Sequence, residues 1–353
     1  MTINEAKEAL DKVIKKARVH LYKPIQIAEI LHEERINGSI DLLDLETYRT
    51  KSRKWRDIVC INFLGRTSTS SARYQDDIFN DNAVPPNAIN ALGEVNKATG
   101  GCVEKYIYDK FAERYSQMST ALSYCRDNNK DSFQLDKFLN LFWDEPGLRR
   151  SIDKIYEIIV FALFSTLVEK LEVTITVSYN EENVELLKEF EDFSNKVICI
   201  NSEVSEFSSL AKINRVGVTN AADRGLDMWA NFGTAIQIKH LSLNESLAEE
   251  IVSSVSSDRI VIVCKNSEEK TIVSLLNQIG WKSKIQSIVT ETELIDWYER
   301  GLRGKYSDVI GDDLLKVLAD EIVNEFPTSD NTEFLDFYKK RNYPDIEEFK
   351  VND

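Results

Sequence analysis

The sequence has few cysteines, and none of them has a paired arrangement. Its five cysteines stand at positions 60, 102, 125, 199 and 264. No two of them have the short spacing of zinc ligands, and they do not form the dense framework of a disulfide-rich secreted domain. We therefore expect neither structural zinc nor disulfide bonds. We also expect the protein to work in a reducing compartment, the cytoplasm.

Long apolar runs are also missing. The longest, Ile158 to Val168, is too short to cross a bilayer and is flanked by charged residues. The N-terminal stretch from Met1 to Val13 is charged and has a helical pattern, without the apolar centre of a secretory signal. The sequence predicts no association with a membrane.

Two kinds of nucleotide-binding loop are absent. No G-x-x-x-x-G-K-S/T sequence occurs, because Gly301 to Lys305 has the wrong spacing, and no glycine-rich loop typical of a methyltransferase occurs. Neither ATP-driven translocation nor methyl transfer is therefore indicated. The chain has only three histidines, His20, His32 and His240, and these stand too far apart in sequence to form a histidine metal motif.

An excess of positive charge is absent, since 59 acidic residues outnumber 44 basic ones and the formal net charge is −15. Such a chain is unsuited to coating nucleic acid non-specifically, although an acidic protein can carry a local basic cleft. One segment is an exception, because residues 49–73 contain seven basic residues and a single acidic one. The segment ends in a polar loop, Gly65 to Gln75, rich in groups that bond to phosphates. The alternative interpretation is a solvated helix face followed by a mobile loop.

The hydrophobic pattern divides the chain into three parts. Residues 1–150 have a helical period, with helices predicted at 2–19, 24–34, 45–64, 103–126 and 134–143, and a loop at 80–101 around Pro85 and Pro86. Residues 151–310 begin with an apolar helix at 151–171. Short strands at 173–177, 196–200, 259–265 and 284–289 then alternate with helices at 182–193, 203–213, 246–255, 268–280 and 290–300. Residues 311–353 form an acidic, helical tail. We predict an α/β fold with a mixed sheet covered by helices on both faces.

The stretch from Asp223 to Leu243 contains the residues best suited to chemistry. Gln237 and Lys239 are two residues apart in an apolar strand, so they share one face of it. Asp227 lies before the turn Asn231 to Gly233, and a hairpin there brings its carboxylate beside them. Carboxylate and amide oxygens suit a hard divalent cation. A neighbouring lysine can orient a water molecule or stabilise charge on a phosphate.

The same spacing occurs once more in the chain. Asp258 is followed, after nine intervening residues, by Glu268, Glu269 and Lys270. A predicted strand separates these side chains, which places them at opposite ends of it. Only the first stretch combines the spacing with a single apolar strand, and we therefore place the site there.

The sequence around Asp227 resembles a known active-site signature. Asn220 to Asp227 (NAADRGLD), followed by an apolar strand carrying Gln-Ile-Lys, resembles the PD-(D/E)XK nucleases that end in Gln-x-Lys. The run from Arg215 to Leu241, with His20 to Gln26 (HLYKPIQ) near the N-terminus, is similar to type II restriction endonucleases of the HaeII kind. The similarity extends over most of the chain. One departure is Gln237, which stands where the usual acidic residue would be.

The resemblance implies a role for each of these residues. Asp227 is expected to be the principal Mg²⁺ ligand, Gln237 a second oxygen ligand and Lys239 the catalytic lysine. A further acid is expected from the helix before the hairpin, either Glu206 or Glu203, while Asp223 is a nearer alternative or simply a turn-forming residue. The basic segment 49–73 and the basic loop Gly301 to Lys305 supply, from their charge, the residues expected to contact DNA, which are Arg66, Arg73, Arg303 and Lys305.

The resemblance implies a Mg²⁺-dependent type II restriction endonuclease that cuts double-stranded DNA at a palindrome such as Pu-GCGC-Py. A palindrome suggests a two-fold homodimer, with residues 1–150 serving recognition or dimerisation. A separate methyltransferase is expected to protect the same site. Two other functions remain open: a structure-specific or repair nuclease on the same fold, and a non-catalytic DNA-binding protein with a decayed nuclease fold.

Overall fold

The computed structural model describes residues 1–18, 20–144, 148–216, 226–255, 257–266, 284–326 and 332–350. These residues fall into two compact units. One is formed by residues 1–155 and the described part of 319–353, and the other by the described residues from 156 to 318. Within the described ranges, no helix combines the length and the apolar character needed to cross a membrane.

The elements are numbered in chain order. The helices are α1 (Ile3–Lys16), α2 (Tyr22–Asn37), α3 (Arg49–Leu64), α4 (Ala72–Asp76), α5 (Pro86–Ala98), α6 (Cys102–Asp127), α7 (Leu135–Asp144), α8 (Ile152–Lys170), α9 (Val184–Glu189), α10 (Glu191–Phe193), α11 (Glu245–Ser254), α12 (Glu291–Arg303), α13 (Ser307–Glu325) and α14 (Thr332–Lys340). The strands are β1 (Thr174–Ser178), β2 (Glu206–Leu210), β3 (Ile213–Arg215), β4 (Met228–Ala230), β5 (Ala235–Lys239), β6 (Ile260–Cys264) and β7 (Ile285–Thr290).

Capping residues define the helix starts that were easiest to predict. Thr2 and Glu5 form a reciprocal capping box at the start of α1, and Thr290 and Glu293 form another at the start of α12. In each case the hydroxyl accepts from one N–H at the helix start while the carboxylate accepts from another. These two predicted helix starts are confirmed.

The predicted loop at residues 80–101 is wrong, because α5 occupies Pro86–Ala98. Pro86 is the first residue of this helix, where the missing N–H of proline costs nothing and its fixed φ suits the helix. Pro85 and Pro86 therefore mark the start of a helix and not a loop. Gly100 and Gly101, which have positive φ angles of 72° and 122°, do form the turn after it.

A buried carboxylate, Glu104, ties together the helices of the first unit. Its side chain is fully buried and accepts from Arg35 Nε at 2.8 Å, Asn96 Nδ2 at 2.6 Å and Tyr343 Oη at 2.8 Å. Burial alone would raise the pKa of this carboxyl, but the hydrogen bonds from Arg35, His32 and Asn96 outweigh it and lower the pKa to about 2. Glu104 is therefore ionised and paired within the core.

The C-terminal residues complete the core of this unit. Phe334, Phe337 and Tyr343 belong to the same buried cluster as Phe63 of α3. A second buried carboxylate, Glu29 of α2, accepts from both terminal nitrogens of Arg341, at 2.7 and 2.8 Å. The acidic C-terminal segment thus contributes buried aromatic rings and an ion pair to the helical unit.

The second unit contains a mixed five-stranded sheet in the order β3-β4-β5-β6-β7. The first three strands are antiparallel, and β5, β6 and β7 are parallel. One face packs on α11, where Ala248 and Ile251 share a buried cluster with Ala235 of β5 and Ile260 of β6. The predicted α/β fold with a mixed sheet and a helical N-terminal region is confirmed.

Two element predictions in this unit are wrong. The helix expected at 203–213 is replaced by β2 and the start of β3, and β2 pairs antiparallel with β1 in a separate two-stranded sheet. The strand expected at 196–200 is part of a π-helical turn, Ser194–Ile198. The helix predicted at 268–280 lies outside the described residues.

We expect Glu104→Gln to lower the free energy of unfolding by about 3 kcal/mol at pH 7, because it removes one partner of a buried ion pair. The folded-state pKa lies below the ordinary value of 4.5. The stabilisation is therefore complete above pH 4.5 and is lost as the pH falls towards 2. Denaturant unfolding at pH 7 and pH 3 should show that the difference in free energy of unfolding between wild type and variant is smaller at pH 3.

The matched control is Glu113→Gln on the same helix. Glu113 is exposed and pairs with Lys110 at the surface, at 2.7 Å. Such pairs contribute about 0–1 kcal/mol, so this variant should unfold almost as the wild type does. Equal losses for the two variants would contradict a special role for Glu104.

Candidate active site

The hairpin of β4 and β5 forms as the sequence predicted. Trp229 pairs with Ala235, and the turn between the strands contains Gly233 with a φ of +91°. Asn231 fixes the turn from outside, because its side chain accepts from Lys212 N at 2.8 Å and donates to Leu210 O at 3.1 Å. The turn therefore has contacts to the segment that precedes β3.

The carboxylate of Asp227 continues the pairing of the hairpin beyond its last backbone pair. Strand pairing between β4 and β5 ends at Met228 and Ile236. The next N–H of β5 that points towards β4 belongs to Ile238, since donors alternate between the two neighbouring strands. It donates to Asp227 Oδ2 at 2.7 Å. This bond fixes the carboxylate against the central strand.

Gln237 binds the same carboxylate oxygen. Its Nε2 donates to Asp227 Oδ2 at 2.6 Å, and the residue is only 2% exposed. Its other polar atom, Oε1, is buried without a hydrogen-bond partner. A buried amide oxygen that lacks a partner costs about 1–3 kcal/mol. Such an atom beside a carboxylate is suited to bind a cation.

Lys239 lies two residues beyond Gln237 and shares its face of β5, as predicted from the alternation of a strand. The residue is half-buried, and it is the last residue of the strand. Asp227 precedes β4, which runs antiparallel to β5. The carboxylate and the ammonium group therefore belong to the same end of the hairpin.

The additional acids predicted for this site do not lie on the expected helix. Glu206 is an exposed residue of β2 and pairs with Ser178 of β1, in the separate two-stranded sheet. Glu203 is exposed in the segment before β2, and its backbone N–H donates to Asn201. Asp223 lies outside the described residues. Among the described residues, no three His, Cys, Asp or Glu side chains lie close enough together to hold a metal.

A further carboxylate at this edge of the sheet was not singled out in the sequence. Glu291 directly follows β7, whose carboxyl end lies on the same edge as that of β5. Its Oε2 is buried without a hydrogen-bond partner, and burial raises the pKa of the carboxyl. One strand, β6, lies between β5 and β7, so the two strands are two spacings, about 10 Å, apart. Glu291 therefore does not belong to the Asp227 hairpin itself.

A buried charge pair beside the site was also missed. Glu157 of α8 and Arg215 of β3 approach to 4.0 Å, and both side chains are about nine-tenths buried. Arg215 lies opposite Met228 in the strand register, and Asp227 is the next residue. Its side chain therefore leaves the sheet on the opposite face from Asp227. An acid within the apolar pattern of α8 was the only sequence signal for this pair.

Most arginines of the basic segment 49–73 are bound to acceptors within the protein. Arg49 and Arg53 both approach the carboxylate of Asp76, at 3.1 and 3.6 Å. Arg56 is almost fully buried and binds Asp57. The segment appeared strongly basic because Asp76 lies just beyond its end. Its net charge at the surface is thus lower than the sequence suggested.

The four predicted DNA-contacting residues have different surroundings. Arg66 donates to the carbonyl oxygens of Glu325 and Asn324, at 3.1 and 2.6 Å, at the C-terminal end of α13. Arg303 forms a two-point ion pair with Glu299 one turn earlier. By contrast, Arg73 is exposed on α4. The fourth, Lys305, lies over the ring of the exposed Tyr306, 5.3 Å from its centroid.

Comparisons with known proteins identify the family of the chain. The family model described as HaeII restriction endonuclease matches residues 6–343. The chain is 63% identical over 341 residues to the type II restriction enzyme HaeII of Haemophilus aegyptius, covering 97% of each chain. It is 57% identical over 346 residues to the type II restriction enzyme NgoBI of Neisseria gonorrhoeae, covering 97% of this chain and 98% of that one. No solved structure matches it. The chain therefore belongs to the HaeII restriction endonuclease family.

Proposed function

We propose that this chain is a type II restriction endonuclease that cuts double-stranded DNA with Mg²⁺ at the Asp227 hairpin, on a PD-(D/E)XK-like core. The observation that carries the proposal is the buried, unpartnered Oε1 of Gln237 beside the Asp227 carboxylate. The family and its relatives, which are named type II restriction enzymes, support the reaction class.

The donors present fit Mg²⁺, which prefers hard oxygen ligands and keeps several waters. Asp227 and Gln237 would hold it, one through a carboxylate and the other through an amide oxygen. When bound, the ion polarises a phosphate oxygen and makes a water molecule more acidic. Glu206 remains the further acid that the family resemblance suggests, with Glu203 and Asp223 as alternatives.

The chain's own side chains then position the reactants. Lys239 carries a positive charge on the same face as Gln237, where it can stabilise the additional negative charge of the phosphate in the transition state. Attack by a water oxygen on phosphorus forms one P–O bond and breaks another in the backbone, while the water loses a proton to solvent and the leaving oxygen takes one up. The hydrogen bonds from Ile238 and Gln237 keep the Asp227 carboxylate fixed throughout.

The partners follow from this reaction. Double-stranded DNA is the substrate, and a palindromic site of the Pu-GCGC-Py type would be read by two copies of the chain related by a two-fold axis. A separate methyltransferase in the cytoplasm would protect the same site. The intact set of Asp227, Gln237 and Lys239 argues against a decayed, non-catalytic protein. Sequencing the ends of cut plasmid DNA distinguishes a site-specific enzyme from a structure-specific or repair nuclease.

We expect cleavage to require Mg²⁺ or Mn²⁺ and to stop in excess EDTA. Metal binding itself is tested by melting temperature, because a ligand that binds the folded state raises it. Gln237→Glu places a second carboxylate beside Asp227, so without metal the variant should melt below the wild type. Adding Mn²⁺ should raise its melting temperature more than that of the wild type. A melting temperature that does not respond to metal in either protein would contradict the site.

We expect Lys239→Ala and Asp227→Asn each to reduce the rate of cleavage by roughly a thousandfold or more while DNA binding survives. Asparagine keeps an acceptor for Ile238 N but removes the charge, so it tests chemistry without losing the hydrogen bond. Asp227→Ala should be as inactive and also less stable, by about 1–3 kcal/mol. Cleavage and gel-shift assays on one cognate duplex measure both properties.

The matched control is Asp258→Ala, which changes the carboxylate of the second spacing match. Asp258 precedes β6, and this variant should cut DNA at nearly the normal rate. If Asp258→Ala abolished cleavage while Asp227→Asn did not, the active site would lie beside β6 and not at the Asp227 hairpin.

Arg66 and Arg73 should behave differently when each is changed to alanine. Arg73→Ala should weaken DNA binding and reduce the slope of log affinity against log salt by about one unit if it contacts a phosphate. Arg66→Ala should mainly lower the melting temperature, because it leaves two carbonyl oxygens at the end of α13 without their donor. Salt titrations of binding and thermal unfolding of both variants provide the test, and an unchanged affinity for Arg73→Ala would contradict the contact.

A further inference from the structure

Trp229 of β4 is exposed beside the candidate active site. Its side chain is 45% exposed, and the other tryptophans of the described residues are more buried. Strand pairing continues from β4 to Asp227, whose carbonyl oxygen accepts from Val216 N at 2.9 Å. Side chains two residues apart in a strand share a face, so Trp229 and Asp227 lie on the same face, about 7 Å apart along the strand. The indole ring is therefore within reach of a substrate bound at Asp227.

The neighbouring strand β3 places an amide beside the indole ring. Asn214 is opposite Trp229 in the register, so its half-buried side chain lies on the same face of the sheet. Neither the amide of Asn214 nor the indole N–H of Trp229 forms a hydrogen bond within the part of the chain that the structure describes. Two adjacent hydrogen-bond donors on the face of Asp227 are therefore available to a ligand.

Helix α11 covers the part of this face that β5 and β6 form. Ala235, the neighbour of Trp229 on β5, is 4% exposed and belongs to a buried cluster with Ala248 of α11. On the other side of Trp229, Asn214 is only half-buried. The accessible part of the face therefore extends from β4 to β3, directly beside Asp227.

A lysine lies on this face on each side of Trp229. One is Lys239 at the end of β5. The other is Lys212, which is exposed two residues before Asn214, and its carbonyl oxygen accepts from Asn231 N at 3.1 Å, so the alternation of β3 continues to it. Its ammonium group forms no ion pair with another described residue. Successive positions on the face, about 7 Å apart along the strands, are Lys239, Asp227, Trp229 and Lys212.

The chemistry of this face matches the backbone of a nucleic acid strand. Such a strand alternates a charged phosphate with an apolar sugar ring, and the protein face alternates positive charge with an exposed aromatic ring. The indole combines a large apolar surface with one N–H donor. A single exposed ring is too small for a protein partner, because a standard interface buries about 800 Å² on each side.

We propose that Trp229 positions the DNA strand that is cut. Its indole ring packs against the deoxyribose next to the scissile phosphate, while Asn214 and Lys212 bind the phosphate that follows this sugar. Contacts to sugar and phosphate fix the register of a strand without reading its bases. The inference rests on the proposed function, since it takes the scissile phosphate to lie at Asp227, and it adds the residues that hold the neighbouring nucleotide.

Tryptophan fluorescence tests the contact without cleavage. The full-length Asp227→Asn protein should bind a duplex with one Pu-GCGC-Py site without cutting it. Binding should protect tryptophan fluorescence from quenching by acrylamide, because the DNA covers the exposed indole ring. Adding Trp229→Phe should remove this protection. The matched control adds Trp297→Phe, whose ring lies against Phe164, 6.1 Å between centroids, and this change should leave the protection intact.

Cleavage and binding assays measure what the contact contributes. Trp229→Ala should weaken DNA binding roughly tenfold and lower the cleavage rate at saturating DNA roughly tenfold, because the strand is held less accurately. The cut site and the salt dependence of binding should not change, since the ring reads no base and carries no charge. Trp229→Phe keeps a ring and should restore most of the rate. Lys212→Ala should reduce the slope of log affinity against log salt by about one unit.

The matched control for the assays is Phe193→Ala, which removes another aromatic ring that is 52% exposed, and it should bind and cut DNA as the wild type does. A wild type that neither binds nor cuts DNA would overturn the proposed function and this inference together. A wild type that cuts DNA, with the same acrylamide protection in the presence and absence of Trp229, would overturn the inference alone. A changed cut site for Trp229→Ala would also overturn it, because the ring would then read bases. If Trp229→Ala fails to fold, the fluorescence of Trp229→Phe decides the question.

Discussion

The site depends on one carboxylate oxygen that accepts two hydrogen bonds. Asp227 Oδ2 accepts from the backbone N–H of Ile238 and from the side chain of Gln237. Without it, the central strand of the sheet would have a donor without an acceptor where β4 stops pairing. The same bonds prevent the carboxylate from rotating and hold the amide of Gln237 in place. Under the proposed function, structural pairing and positioning for chemistry are the same interaction, and a change at Asp227 should affect both stability and activity.

A neutral amide at position 237 is consistent with how deeply this site is buried. Two carboxylates side by side at a position that is 2% exposed would repel each other, and one would take up a proton. Glutamine avoids this cost while still offering an oxygen to a cation. The helical unit solves a similar problem differently, because the buried side chains of Glu29 and Glu104 are bound by Arg341 and Arg35. The buried charges of Glu29 and Glu104 are thus paired, and an amide stands at the buried position 237.

Local signals were reliable where a short-range contact decides the structure. The capping boxes at Thr2 and Thr290 involve residues three positions apart, and both helices begin there. The helix expected at 203–213 was wrong because β2 is stabilised by pairing with β1, a partner about thirty residues earlier. Serines in β2 favour no helix, and their hydroxyls are free to bond across strands, as Ser208 does with Thr176 at 2.8 Å.

The sequence alone determined that Gln237 and Lys239 share a face and that a turn returns the chain to Asp227, since both follow from strand alternation and turn chemistry. Only the tertiary structure decided that Asp227 bonds to Ile238, that the oxygen of Gln237 is buried without a partner, and where Glu206 lies. The same holds for the basic segment, where Asp76 neutralises Arg49 and the end of α13 binds Arg66. These contacts join positions far apart in the chain, and no local pattern specifies which distant acceptor a side chain will reach.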